Sequence, residues 1–501
     1  MKLKSIFKGK TRLISITAGF CLAVSAVAAG EAPVTISVDA KNPGAAIAPH
    51  FSGLSFEVSQ LLPNADGVHY FRPDNLPLIN LFRTLGIKNL RIGGNTSDRD
   101  ARRLPAEADL DSLFAFARAA NVKVIYCLRL HKGDPQTDAQ TVKYIMDHYA
   151  PLVDCFSIGQ EPSAYPVEKK DDRPATERMG AAAEKYQYSA YAADWKKFAA
   201  AIIAAVPDVK FCGPGVHNNA DWARKFMADF GQSNHVALIT EHLYAGGAGG
   251  KVPTPEIGRD RMLSTNFTRV YEKLHDGFVP LAVSNGLPYR LEEVNNYFNG
   301  GATNVSNTFA SALWGLDFMY WWAAHGAAGL NFHTGDKVVA GNSLQPSKYT
   351  AFFTATNGFL IRPLGYGIKA FDLGSHGKLI PATISNPGNV SLSTYAVLGD
   401  DKNLYLTIIN KEHGATARDA RISISHSGRS FSLGRVMFLN VPNNDVAATV
   451  GETLGSASIQ NDGSWTGTWT PLGMSNFGRG YGMYYLKIPA ASAAIVKLEH
   501  N

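Results

Sequence analysis

The sequence predicts a (β/α)8 barrel followed by an antiparallel β-sandwich. Between about residues 50 and 335, eight short apolar segments alternate with helical patterns and polar loops, as parallel βα units do. After about residue 375 the texture changes to short alternating segments separated by Gly, Asn, Asp and Ser, which reads as a sandwich. No G-x-G-x-x-G follows a strand and opens a helix, so an open dinucleotide-binding sheet lacks its turn. At 501 residues, with 45% hydrophobic and 18% charged residues, the chain can bury one large core and a second smaller one.

The elements follow in order. Lys2, Lys4, Lys8, Lys10 and Arg12 precede an apolar run from Leu13 to Val24, and Ala26-Val27-Ala28 closes it. This is the pattern of a secretory signal over residues 1–28, cleaved near Ala28; the run is short for a transmembrane helix. In residues 29–48, the segment Val34 to Val38 alternates like a sandwich strand and is expected to join the terminal domain. Residues 49–374 hold the barrel. Its candidate strands are Phe51 to Val58, Ile87 to Gly94, Val122 to Leu130, Val153 to Gln160, Val209 to Val216, Val236 to Tyr244, Leu287 to Val294 and Gly329 to His333. Tyr191, Trp195, Phe198 and Ile202 share one face of an intervening helix and read as core. Residues 375–501 form the sandwich, with candidate strands Asn403 to Ile409, Arg421 to Ser425 and Met483 to Ile488.

Charge and cysteine content narrow the function classes. Removing the five basic residues of the signal from 48 Lys and Arg leaves 43 against 42 Asp and Glu, a near-neutral mature chain. No basic stripe suited to nucleic acid or an anionic membrane is visible. Cys127, Cys155 and Cys212 sit in apolar runs and read as buried thiols, with a Cys127 to Cys155 disulfide the alternative. The tract Gly246 to Lys251 is one residue short of a phosphate loop, and Val252 stands where Ser or Thr would hold magnesium. Neither H-E-x-x-H nor G-x-S-x-G occurs, and no metal or other cofactor is expected.

Active sites of such barrels form at the carboxyl ends of the strands. The fourth candidate strand ends Gly159-Gln160-Glu161-Pro162, and the seventh ends Arg290-Leu291-Glu292-Glu293-Val294-Asn295. Carboxylates from these two strands face each other across the barrel mouth, the arrangement glycoside hydrolysis requires. With period-two alternation Leu291, Glu293 and Asn295 share one face, leaving Glu292 to pair with Arg290 or a helix. Glu161 is therefore the candidate general acid/base and Glu293 the candidate nucleophile. His242 and His333 lie at strand ends and read as orienting partners rather than metal ligands.

The chain resembles glycoside hydrolase family 79, the β-glucuronidases and heparanases, within the clan of barrel glycosidases with glutamates on strands four and seven. The resemblance rests on Gly53-Leu54-Ser55-Phe56-Glu57, Leu90-Arg91-Ile92-Gly93-Gly94, Gly159-Gln160-Glu161-Pro162, Glu241-His242-Leu243-Tyr244, Glu293 through Gly301, and Asn331-Phe332-His333. It implies that Glu57 and Asn95 hold sugar hydroxyls and that Tyr244 lies near the nucleophile; Glu57 paired structurally with Arg91 is the alternative. Gln160 stands where the family has an Asn that contacts the sugar 2-hydroxyl. The resemblance also implies that tyrosine hydroxyls and loop amides receive the uronate carboxylate, which preorganised neutral donors can do. Residues 297–301 and 334–349 supply these, with Tyr349 and Gly300 favoured, Gly335 and Tyr297 as further candidates, and Lys337 or Lys348 as sources of added charge. Tyr297 reads equally well as packing.

The expected function is that of a secreted or periplasmic retaining exo-β-glucuronidase acting on a glucuronic-acid-containing carbohydrate, its carboxyl groups about 5 Å apart. Endo-cleavage of a glycosaminoglycan, or sugar binding without catalysis, are the competing readings. The loops Ala164 to Gly180 and Gly246 to Gly258 are candidates for closing the cleft into an exo pocket.

Overall fold

The first barrel strand begins only after an excursion into the other domain. The computed structural model describes residues 33–98, 103–166, 186–340, 343–476 and 482–501; the expected signal lies outside them. Strand β1 (Val34–Asp39) buries Val34, Ile36 and Val38 and lies between Ala420–Ser427, to which it is parallel, and Ala382–Ser385, to which it is antiparallel. It belongs to an 11-stranded, mostly antiparallel sheet otherwise built from residues after 376. Leu404–Asn410, Ala420–Ser427 and Gly482–Ile488 are strands there, close to their expected positions.

Eight strands then close a parallel barrel: β2 (Ser52–Glu57), β3 (Asn89–Gly93), β4 (Lys123–Leu128), β5 (Val153–Ile158), β6 (Phe211–His217), β7 (Val236–Tyr244), β8 (Tyr289–Asn295) and β9 (Gly329–His333). Closure is made by β9 on β2, with Ser52 opposite Leu330 and Ser55 opposite His333. Every strand falls within two residues of its expected limits, because burial makes most of them short apolar-rich runs bounded by helical patterns and loops. The helix Pro135–Tyr149 shows how helix starts are encoded: Asp134 accepts from the Thr137 amide at 2.8 Å, and Pro135 occupies the first turn.

One helix departs from the amphipathic pattern. Phe309–Ala324 is apolar nearly all round, since one side packs on the barrel and the other meets the terminal sheet. Tyr320 stacks on Tyr395 at 4.9 Å, and Asp317 receives both the Tyr395 hydroxyl (2.7 Å) and Lys411 (2.9 Å). Val397, Ile409 and Ile495 thereby join the barrel's core, while Ile36, Ile422 and Leu406 form a separate core within the sheet.

The barrel floor is polar. Arg290 donates to Asn331 (2.6 Å) and to the carbonyls of His50 (2.9 Å) and Phe51 (3.2 Å), and Asn331 continues to Asn89 (2.8 Å). Arg290 is thus committed to the floor and does not pair with Glu292, contrary to the expectation from alternation. Cys127, Cys155 and Cys212 are free and buried, so the Cys127 to Cys155 disulfide is not formed. Register explains this: Cys127 lies beside Ser157 and Cys155 beside Ile125, two residues apart along the strands. Among the described residues, no helix is long and apolar enough to cross a membrane.

Candidate active site

The two candidate glutamates reach the barrel mouth by different routes. At the end of β5 the chain turns sharply through Gly159 (φ 93°) and Glu161 (φ 46°, ψ 56°), the latter a left-handed conformation rarely adopted by a residue with a side chain. Pro162 disfavours the right-handed helical alternative for the residue before it. The turn is held by the Glu161 amide donating to Gly215 of β6 (3.1 Å) and the Ala164 amide donating to Glu161 (2.9 Å). Asp98 braces it from beneath, accepting from the amides of Leu130 (2.7 Å), His131 (3.0 Å) and Gln160 (2.6 Å) and from the Tyr165 hydroxyl. Burial raises the Asp98 carboxyl's pKa despite these donors. Nothing local in the sequence distinguishes Asp98 from a solvated loop residue.

On the opposite side, β8 carries an irregularity. Leu291 pairs with Glu241 of β7, but the next pair is Glu293 with His242, so Glu292 is an extra residue. Both glutamates consequently face polar groups of the barrel interior, where strict alternation would have separated them. Glu293 is surrounded by donors: Arg91 at 2.6 Å and Gln160 at 2.9 Å on one oxygen, Tyr244 at 2.9 Å on the other. Burial opposes its charge, but His333, His242, Arg91 and the Gln160 amide outweigh it and hold the carboxyl well below its usual range. Burial and the Glu293 charge keep the Tyr244 phenol protonated as a donor.

His242 links the two sides. Its Nδ1 lies 3.1 Å from Glu161 and 3.9 Å from Glu293. Burial disfavours its charge, yet Glu293, Glu161 and Glu292 raise its pKa to about 9. One oxygen of Glu161, one of Glu293 and a ring nitrogen of His242 lie within 4.8 Å of one another. Among the described residues this is the convergence of acidic and histidine groups to consider for a cation. Hydrogen bonds from His242, Arg91, Gln160 and Tyr244 already engage its oxygens, an arrangement suited to handling protons.

A cavity of about 190 Å³ opens over the pair, lined by Glu57, Asn95, Glu161, His217, Tyr244, Glu293, Phe298, Asn299, His333, Val339 and Tyr349. Six of the ten residues singled out from the sequence therefore meet in it: Glu57, Asn95, Glu161, Tyr244, Glu293 and Tyr349. Glu57 does not pair with Arg91, which is engaged by Glu293, Gln160 and Ser55; it accepts from the Thr96 amide and hydroxyl, both at 2.8 Å. Gln160 is buried beneath the cavity, its amide on Glu293 and its carbonyl on Arg91 and the Gly94 amide. Tyr297 is a packing residue, donating to the Gly258 carbonyl (2.9 Å) against Phe267. Gly300 and Gly335 shape adjoining turns, the Gly300 carbonyl accepting from the Lys348 amide and the Gly335 amide donating to Thr350, and neither lines the cavity. Lys337 and Lys348 are also absent from its wall.

Sequence reasoning missed His217, and it named Phe298, Asn299 and Val339 only within the segments 297–301 and 334–349. His217 ends β6 and packs edge-on against Tyr244 (5.8 Å) and Phe298 (5.6 Å); burial lowers its pKa and favours the neutral ring. Phe298 is fixed by the Gly246 to Gly258 loop through mutual backbone bonds with Gly247 and Gly249. Val339 belongs to a hairpin, β10 (Lys337–Ala340) and β11 (Ser343–Pro346), and its carbonyl accepts from Asn95 at 3.3 Å. The other candidate loop, 164–180, lies mostly outside the described residues.

A closed parallel barrel with paired carboxylates at its mouth and an appended β-sheet domain is an architecture found among glycoside hydrolases. The chain is similar to the 4-O-α-L-rhamnosyl-β-D-glucuronidase of Fusarium oxysporum 12S, with a TM-score of 0.65 and 16% identity over 93% of this chain and all of that one. It is equally similar to the family 51 arabinofuranosidase of Xanthomonas axonopodis pv. citri (TM-score 0.65, 14% identity, 93% of this chain and all of that one). These likenesses establish the fold. In sequence it matches a curated β-glucuronidase of Aspergillus niger, 27% identical over 199 residues, or 36% of this chain. The match spans about a third of that enzyme's length (34%). No family model matches the sequence.

Proposed function

We propose that the chain is a retaining exo-β-glucuronidase, exported by its N-terminal signal, with Glu161 as general acid/base and Glu293 as nucleophile. The observation that carries this reading is that one oxygen of Glu161 and one of Glu293 lie within 4.8 Å of each other, the close setting expected of retaining enzymes, whose carboxyl groups stand about 5 Å apart rather than about 6.5 to 9.5 Å. Glu293, kept ionised by Arg91 and the two histidines, attacks the anomeric carbon while Glu161 protonates the departing oxygen. Water then enters on the face vacated by the aglycone. Glu161 takes its proton, and the β-anomer of the sugar is released.

Glucuronate as the sugar is supported by the sequence likeness to a β-glucuronidase. The cavity is compatible with an anionic ring, although no lysine or arginine lines its wall among the described residues. The Tyr349 phenol, kept protonated by burial and the nearby Glu293, donates from one side; Asn299 and His333 line the same space. Exo action is supported by the confinement of the cavity, about 190 Å³, to the space over the two carboxylates. Endo-cleavage would need a longer groove, and both catalytic carboxyl groups would be superfluous in a protein that only binds sugar.

The test is hydrolysis of a nitrophenyl β-glucuronide beside the matching β-glucoside, β-galactoside and α-arabinofuranoside, followed by proton NMR. Preference for the glucuronide with β-anomer formed first is expected. Preference for another glycone refutes the substrate, and α-anomer formed first refutes the mechanism.

A further inference from the structure

Glu292 has no part in the mechanism above, yet it is fully buried beside the groups that do the work. The irregularity in β8 turns it into the barrel beneath Glu293. Its oxygens lie 3.7 Å from Nε2 of His242 and 3.9 Å from Nε of Arg91, and the Cys212 thiol approaches at 3.9 Å. Neither of those two nitrogens has a hydrogen-bond partner among the described residues. Gly215 makes the space: a Cβ there would sit 2.6 Å from Glu292 Oε1, and the same glycine's carbonyl holds the Glu161 amide. His242 is thus bracketed, with Glu161 at Nδ1 and Glu292 at Nε2.

This bracket resolves an electrostatic difficulty. A general acid must hold a proton, and a cation within hydrogen-bond distance favours its ionised form. Arg91, His242 and His333 all supply positive charge to keep Glu293 ionised; His333 is set against Glu57 at 3.7 Å, and Glu293 offsets only one of the other two. We propose that Glu292 is a positioning residue whose buried charge offsets the second cation, letting Glu161 keep its proton beside His242. The proposal rests on the glycosidase reading for Glu161.

The other groups facing Glu292 fit the assignment. Burial opposes its charge, but His242, Arg91 and Thr240 together lower its pKa, so it is the anion of the set. Glu241, equally buried, has its pKa raised well above the carboxylate range and is the neutral acid. Burial pushes the Cys127 thiol up to about 12 and raises Cys155 and Cys212, leaving them uncharged. Arg290 is held by the floor. With His333 set against Glu57, the cluster balances as Arg91 and His242 against Glu292 and Glu293, and neutralising Glu292 leaves it one positive charge in excess.

The isosteric variant Glu292→Gln tests this in two ways. Hydrolysis of glucuronides with alkyl leaving groups, which need the acid, should fall at least tenfold more than hydrolysis of an activated nitrophenyl glucuronide. The alkaline limb of kcat/KM should move to lower pH by about one unit, as loss of a nearby charge requires. Equal losses on both substrates with an unmoved pH profile would overturn the proposal and leave Glu292 a packing residue. Independently of activity, the His242 ring, assigned by its loss in His242→Gln, should titrate near 9 by NMR in the unmodified protein and lower in Glu292→Gln. Titration near the ordinary 6.5 in the unmodified protein overturns the charge bracket even if the variant does not fold. Failure to hydrolyse any glucuronide refutes the substrate reading, while the titration still decides the role of Glu292.

Discussion

The β8 and β5 corners of the barrel mouth each present one glutamate, but they hold it by opposite means. Glu293 is fixed by its side chain: Arg91, Gln160 and Tyr244 donate to it, and two histidines add positive charge. Glu161 is fixed by its backbone, in a left-handed turn pinned to Gly215 and braced by Asp98. A nucleophile has to be charged when substrate arrives, so clamping its carboxylate costs the reaction little. An acid/base residue changes charge twice per turnover, and a guanidinium clamp would hold it in one state. Positioning Glu161 through the main chain leaves its carboxyl, hydrogen-bonded to His242, able to change charge.

The largest effect should come from breaking the β8 corner. In the proposed mechanism Glu293→Gly removes the bond-forming atom, and turnover of a nitrophenyl β-glucuronide should fall below detection. Added azide should restore release of nitrophenol by attacking from the vacated side, giving the α-glucuronosyl azide. Breaking the β5 corner should do less. Glu161→Ala should lower turnover of an alkyl glucuronide by about 10²- to 10⁴-fold, the usual contribution of a general acid, and affect an activated aryl glucuronide less. Azide would then enter from the aglycone side and give the β-azide. NMR of the two products separates the roles; the same anomer from both variants would contradict them.

The same contrast explains what the sequence disclosed. All eight barrel strands were legible because each is buried on both faces, and β1 because Val34, Ile36 and Val38 alternate. The meeting of Glu161 and Glu293 at the barrel mouth was legible from strand position, while their catalytic roles are those proposed above. The selection of Glu293 by alternation rested on a regular strand that β8 is not: one extra residue brings Glu292 inside as well. Asp98, His217 and Val339 were hidden because their importance comes from contacts 27 or more residues away, or from a hairpin with no catalytic signature. Tyr297 and Gly300 lay beside the right loop, but local packing turns them from the cavity.

A smaller perturbation sharpens the account of the β8 corner. Tyr244→Phe deletes one of three donors to Glu293 while leaving Arg91 and Gln160 in place. A hydrogen bond to a charged group contributes about 1.5 to 3 kcal/mol to stability, so the thermal midpoint should fall, while kcat should fall by about 10-fold or less because the bond is present before the reaction as well as during it. A much larger loss would assign the phenol a direct contact with the reacting sugar.

The smallest of these effects is read from stability rather than turnover and concerns the residue joining the corners. The pKa of His242 is raised from 6.5 to about 9 in the folded chain, so between those values the folded state binds more protons at this site than the unfolded chain. Its contribution to stability is therefore complete below about pH 6.5 and is lost as pH rises through 9. Glu293 acts in the opposite sense: its depressed pKa stabilises the fold above its ordinary 4.5 and loses that contribution as pH falls well below. Together they place their joint maximum between about 4.5 and 6.5. Urea unfolding across pH 6 to 10 should show stability declining in the unmodified protein and a flatter profile in His242→Gln. An equal decline in both would mean that another group carries the linkage and that His242 is neutral between its two carboxyl neighbours.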